Sequence, residues 1–180
     1  MPRFAHTERD GPVGSLAYRL SLSRTATIRS YSKRWDNGAD MAGYSGTPLY
    51  RKLGIKPGHR VALLDAPASF KATLDGLPAE VVIRHGLAAD APTDVIVLFV
   101  TERYELQARL DEVRRGMAQD GGFWVAWPKR ASKVPTDITD DVVREVALPS
   151  GLVDNKVCAI DEIWSGLRLV IRRKNRRPAE

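Results

Sequence analysis

The chain has 180 residues, 43% of them hydrophobic, which is enough for one buried core. Its formal charge is +6, from 28 Lys and Arg against 22 Asp and Glu, and its one cysteine, Cys158, excludes an intrachain disulfide and a cysteine-built zinc site. It contains no run of about 18 apolar residues and no compact apolar block near its start, so neither membrane insertion nor export is expected and a cytoplasmic location is.

The three histidines, His6, His59 and His85, are scattered and lack a second ligand at metal-binding spacing. The positive excess is concentrated at the ends: residues 1–40 hold seven Lys/Arg against four Asp/Glu, and residues 172–180 hold five against one. A duplex binder carries its charge as a stripe on a folded surface, whereas these ends are expected to be mobile, so nucleic acid is not the expected partner. Residues 1–40 are rich in Ser, Thr and Arg, with no acid between Gly11 and Trp35 and no hydrophobic period. Met41-Ala42-Gly43 makes a natural start, so residues 1–40 are read as a disordered extension from an upstream start codon.

From Met41 the punctuation sharpens. Thr47 reads as an N-cap with Pro48 at the first helical position, Leu49 and Leu53 on one face, and Gly54 as the stop. After Lys56-Pro57-Gly58, the continuous run Arg60-Val61-Ala62-Leu63-Leu64 predicts a strand buried on both faces, ending near Asp65. Pro67 to Leu77 places Phe70, Leu74 and Leu77 at helical spacing, closed by Gly76-Leu77-Pro78. Val81-Val82-Ile83 is a second strand, and Val95 to Val100 gives the strongest buried-strand signal of the chain.

Thr101 is placed to cap the next helix, where Leu106, Leu110, Val113 and Met117 recur at helical intervals until Asp120-Gly121-Gly122. Phe123 to Trp127 is a further strand, halted by Pro128. Trp124 and Trp127 lie three apart on it and so face opposite sides of the sheet, in core roles. Thr139 with Asp140 and Asp141 predicts a helix start, because acids there complement exposed backbone N–H groups. Lys156 to Asp161 and Leu167 to Arg173 are extended runs joined by a short link, which makes them an antiparallel hairpin. Strand–helix alternation followed by a hairpin predicts an α/β, three-layer Rossmann-like fold: a mostly parallel sheet with a C-terminal antiparallel edge. The expected organisation is an extension over 1–40, one α/β domain over 41–173 and a basic tail over 174–180.

Three stretches carry a resemblance: "MAGYSGTPLYRKLGIKPGHRVAL", "DVIVLFV" and "GGFWVAWPKRASKVPTDITDDVVREVALPSGLVDNKVCAIDEIWSGLRLV". Together they resemble the bacterial domain of unknown function family 3052 across residues 41–173, a family that brings no established activity. More distantly, "IKPGHRVALLDAPAS" is similar to the first motif of S-adenosylmethionine-dependent methyltransferases, and the later strands follow that fold's order, with one strand missing. Asp65 retains the acid of the motif, but Pro67 and Ser69 stand where the family has glycines, and Arg84-His85-Gly86 replaces the acid that binds ribose hydroxyls. Proline fixes φ and offers no N–H, so the resemblance implies the fold without S-adenosylmethionine, and no cofactor is expected.

The best candidate site is the loop after the fourth strand, where Lys129, Arg130 and Lys133 supply cations and Ser132 and Thr136 hydroxyls for an anion. The bland alternative is a solvated loop with Thr136 and Asp137 as turn residues. Asp65 either orients a ligand or caps a helix near Pro67. Ser45, Gly46 and Thr47 form a weaker anion cradle, His85 a possible acid–base group without a named partner, and Cys158 an inert thiol. The leading functional expectation is a non-enzymatic or regulatory domain binding a small anion or a protein partner. The alternatives are an enzyme acting on an anionic metabolite and a residual S-adenosylmethionine-dependent methyltransferase.

Overall fold

A computed structural model describes residues 46–89 and 91–177, all within the compact unit Ala39–Glu180. The disorder expected of residues 1–40 and the proposed start at Met41 lie outside the described residues. Six strands form one sheet in the order β2-β1-β3-β4-β6-β5: β1 Arg60–Leu64, β2 Val82–Arg84, β3 Thr93–Phe99, β4 Met117–Pro128, β5 Leu152–Ala159 and β6 Trp164–Ile171. The first four are parallel, while β6 runs antiparallel to both β4 and β5. The chain therefore has the α/β, mostly parallel sheet with a C-terminal antiparallel edge that its alternation predicts.

The apolar runs of β1, β3 and β4 need cover on both faces, and both are covered. On one face lie helices α2 (Arg103–Gly116) and α3 (Asp140–Ala147). Their Leu106, Leu110, Val113, Val143 and Val146 pack with Leu64, Ile96, Leu98, Phe123, Val125, Trp127 and Leu169. The other face carries Val97, Phe99 and Trp124 by alternation, and the buried Leu53, Ile55, Phe70 and Leu74 belong to the segments around it. Trp124 and Trp127 thus face opposite ways, as their spacing requires. Phe99 sits edge-on between Phe70 and Trp164, with ring centroids 4.7 and 5.0 Å away.

The short helix α1 (Leu49–Leu53) is too brief to be stable alone and is held by its C-terminus. Gly54 takes the left-handed conformation, φ 81°, and the amides of Gly54 and Ile55 return to the carbonyls of Arg51 and Tyr50. The sheet satisfies the next two carbonyls: Lys156 Nζ donates to Lys52 at 2.7 Å, and the buried indole of Trp124 donates to Leu53 at 2.9 Å.

Three local expectations are corrected, at Thr47, over Pro67 to Leu77 and at the end of α2. Pro48, with extended ψ of 145°, takes the flanking position of α1, and Thr47 is no cap. The helix read over Pro67 to Leu77 is a single 3-10 turn, Phe70–Thr73, because Pro67 and Gly76 leave room for little more. Asp65 takes a positive φ of 52°, so the bend after β1 begins on a left-handed aspartate. Helix α2 ends at Gly116, and Met117 already pairs with Thr93 in β4. Pairing then jumps to Val95 with Gly122, and the extra residues bulge outward. Gly121 turns that corner where a Cβ would meet the Asp94 carbonyl oxygen at 2.9 Å.

Trp124→Phe keeps a six-membered aromatic ring but loses the indole N–H and strands the Leu53 carbonyl in the core. We expect a loss of about 1–3 kcal/mol, read as a lower urea midpoint with an unchanged slope.

Candidate functional site

In an open α/β sheet, ligands sit beyond the carboxyl ends of the strands where the strand order reverses. Here the reversal falls at β1, whose chain continuation β2 lies on one side and β3 on the other. The segment leaving β1 at that point is Asp65 to Ser69. Asp65 supplies the left-handed residue that a glycine supplies more often, a conformation short polar side chains tolerate. Pro67 has no N–H, and Phe70 N is used by the Pro67 carbonyl. The amides of Ala66, Ala68 and Ser69 donate to no described residue, so this exposed or half-buried turn presents three open donors.

The Asp65 carboxylate is held by Arg109 of α2, whose Nη2 lies 3.2 and 3.4 Å from its two oxygens, while Arg109 Nη1 reaches Glu112 at 3.1 Å. Burial acts against the Arg109 charge, but Asp65 and Glu112 outweigh it and hold the guanidinium above its ordinary pKa. Asp65 caps no helix: the N-cap of the 3-10 turn is Ser69. With side chains 41% and 52% exposed, the pair contributes only about 0–1 kcal/mol, so a ligand can displace it. At the neighbouring end of β2, Arg84 and His85 are exposed, and no described residue hydrogen-bonds to His85.

The loop after β4 begins at the carboxyl end of the same sheet, but much of its polar chemistry maintains its own shape. Lys129 Nζ donates to the Asp161 carbonyl. Ser132 Oγ donates to the Lys129 carbonyl at 2.7 Å and accepts from Val134 N at 3.3 Å. Thr136 Oγ1 donates to the Thr101 carbonyl at 2.7 Å and accepts from Ile138 N at 3.0 Å, as an ST-turn does. Arg130 and Lys133 are exposed, the latter with a left-handed φ of 57°; neither forms an ion pair among the described residues.

The helix starts beside this loop are occupied too. Glu105 accepts from the amides of Thr101 and Glu102, Asp137 accepts from Arg103 N, and Thr139 caps α3 through Val142 N. Of the Ser45-Gly46-Thr47 cradle, Ser45 lies outside the described residues, and Gly46 and Thr47 are exposed. Burial pushes the half-buried Cys158 thiol up, away from a reactive thiolate. Among the described residues no His, Cys, Asp and Glu cluster could hold a metal ion, and no helix is long and apolar enough to cross a membrane. Sequence reasoning found Asp65 but missed Arg109, which is 44 residues away and sits among helix charges with no distinguishing spacing.

No family model matches the chain, and neither does any curated protein. Solved structures do. An S-adenosylmethionine-dependent methyltransferase from Aquifex aeolicus matches at 12% identity and a TM-score of 0.48, over 68% of this chain and 88% of that one. The glycopeptide N-methyltransferase MtfA in complex with S-adenosylmethionine matches at 13% identity and 0.46, over 77% and 99%. Its complex with sinefungin matches at 13% and 0.44, over 76% and 98%. The expectation that no cofactor is taken is corrected: the two MtfA structures hold S-adenosylmethionine and sinefungin. Pro67 removes one donor from the bend, while the amides of Ala66, Ala68 and Ser69 donate to no described residue; Arg84-His85-Gly86 still stands where the resembled motif has its acid. The likenesses lend nothing to the expected non-enzymatic reading.

Asp161 Oδ1 accepts from Ile163 N at 2.8 Å and Trp164 N at 2.7 Å, which shapes the turn that anchors Lys129. Burial pushes the Asp161 carboxyl above its ordinary 3.8 despite those bonds. Because the folded state holds this proton more tightly than the unfolded chain, its contribution is fully present below pH 3.8 and is lost as pH rises through the folded value. Asp161→Asn keeps the acceptor and loses the titration. Unfolding midpoints compared at acid and neutral pH should therefore show a smaller loss on raising the pH in the variant than in the parent.

Proposed function

We propose that the described domain is an S-adenosylmethionine-dependent methyltransferase of the uncharacterised family 3052, acting in the cytoplasm on a small anionic metabolite. The observation that carries the reading is the bend at the reversal of strand order, with Asp65 left-handed and the amides of Ala66, Ala68 and Ser69 open. When bound, S-adenosylmethionine supplies an activated methyl group. The open amides bind its acceptor oxygens, and Asp65, released from Arg109, accepts from its hydroxyl or ammonium donors. Arg109 stays paired with Glu112 while Asp65 turns to the ligand. Arg84, His85, Arg130 and Lys133 belong to the carboxyl ends of β2 and β4 and give that end of the sheet its cationic character, which suits an anionic acceptor.

Isothermal titration of the full chain with S-adenosylmethionine tests this directly, and one saturable site is expected. Asp65→Gly preserves the bend and removes only the carboxylate, so it should weaken binding by about tenfold. Asp65→Ala should weaken it further, because alanine resists the left-handed conformation by about 1–2 kcal/mol. Arg109→Ala removes the competing partner and should tighten binding by up to about fivefold. Absence of saturable heat from the parent chain would refute the proposal.

A further inference from the structure

A second feature lies away from the carboxyl-end bend. Arg168 of β6 pairs in register with Trp124 of β4, so its side chain projects from the Trp124 face. There its guanidinium lies against Gly122: a Cβ on that glycine would fall 2.5 Å from Nε and 2.8 Å from Nη2. Nε is buried and has no hydrogen-bond partner among the described residues; the group bonds to them through Nη1 alone, to Asn155 Oδ1 at a long 3.4 Å.

A second guanidinium joins it. Arg176 is half-buried, and its Nε is tied to the Ile171 carbonyl at 3.2 Å. Burial, and after it the charge of Arg176, push the Arg168 pKa below its ordinary value. Among the described residues neither arginine forms an ion pair. Two cations that are partly desolvated and mutually repelling, with no carboxylate paired to them among the described residues, are an arrangement that a bound anion relieves.

The surroundings are held in place. The basic run 172–177, expected to be mobile, is fastened to the fold by three contacts. Arg172 N donates to the Gly151 carbonyl at 3.3 Å, Asn175 Nδ2 to the same carbonyl at 3.3 Å, and Arg177 N to Gln119 Oε1 at 3.0 Å. Arg172, Arg173, Lys174 and Arg177 are exposed along it. We infer that Arg168, bedded on Gly122, and Arg176, whose charge acts on it, form a binding site for a phosphate group flanked by this anchored basic run. Planar guanidinium forks match the oxygens of phosphate, and the added cations suit a phosphate that carries further negative charge. The site is independent of the methyltransferase proposal, since none of its residues belongs to the carboxyl-end bend.

The probes are inorganic phosphate, by isothermal titration, and a short single-stranded DNA oligonucleotide, by fluorescence anisotropy at two salt concentrations. Both use the full chain. Gly122→Ala is the sharpest variant, because its methyl meets only the end of a flexible side chain; it should fold normally yet displace the guanidinium. It and Arg168→Gln should each weaken phosphate binding by about tenfold, and Arg176→Gln should do the same if Arg168→Gln fails to fold. If the oligonucleotide binds with a steep salt dependence and the variants weaken it, the phosphate is that of a nucleic-acid backbone. If only inorganic phosphate responds, the source is a free phosphorylated metabolite. Failure of the parent chain to bind either probe, or equal binding by parent and Gly122→Ala, would overturn the inference.

Discussion

The pairing of β3 with β4 is the constraint from which the rest of the domain follows. From Val95 to Phe99 and from Gly122 to Ala126 these strands are buried on both faces, without a polar side chain. A ribbon of that kind is stable only if both faces are covered. Helices α2 and α3 cover one, and α1 with the 3-10 turn lies over part of the other. Trp124 secures that second cover, since its indole is both apolar filling for the core and the donor that the end of α1 requires. With the faces closed, the strand ends and the sheet's outer strands remain for chemistry. The carboxyl ends carry the Asp65 bend, and the antiparallel edge carries Arg168.

These two places differ in how their charges are balanced. At the bend, Asp65 and Arg109 neutralise each other on the surface at little gain in stability, so the pair is a removable cover. At Arg168 no described carboxylate pairs with the charge, and the domain carries the cost of a partly buried cation beside another. The loop after β4 differs from both. Lys129, Ser132 and Thr136 spend their polar groups on backbone carbonyls and amides, which gives the loop a defined shape and leaves Arg130 and Lys133 as its unpaired charges.

Much of the sheet was legible because strands buried on both faces cannot hide: Val95 to Val100 has no polar residue to alternate with. The spacing of Leu106, Leu110 and Val113 likewise identified α2. Met117 fits the same spacing, yet it lies in β4, since the sheet buries a side chain equally well from either element. Phe70 and Leu74 are buried as helical spacing suggests, but a proline before them and a glycine after leave one 3-10 turn. The site was less legible. An aspartate in the left-handed region looks no different in sequence from one in a strand, and a proline in the turn says nothing of the three amides beside it. Arg109 meets Asp65, and Arg168 meets Gly122, only through the sheet that brings distant segments together.

The proposed methyltransferase activity requires that the open amides of the bend after β1 meet S-adenosylmethionine. Backbone NMR of the full chain during addition of S-adenosylmethionine tests it most directly. The account predicts that the amide resonances of Ala66, Ala68 and Ser69 shift together and saturate with a common midpoint. Shifts confined to other segments, with those three amides unmoved at saturation, would contradict it.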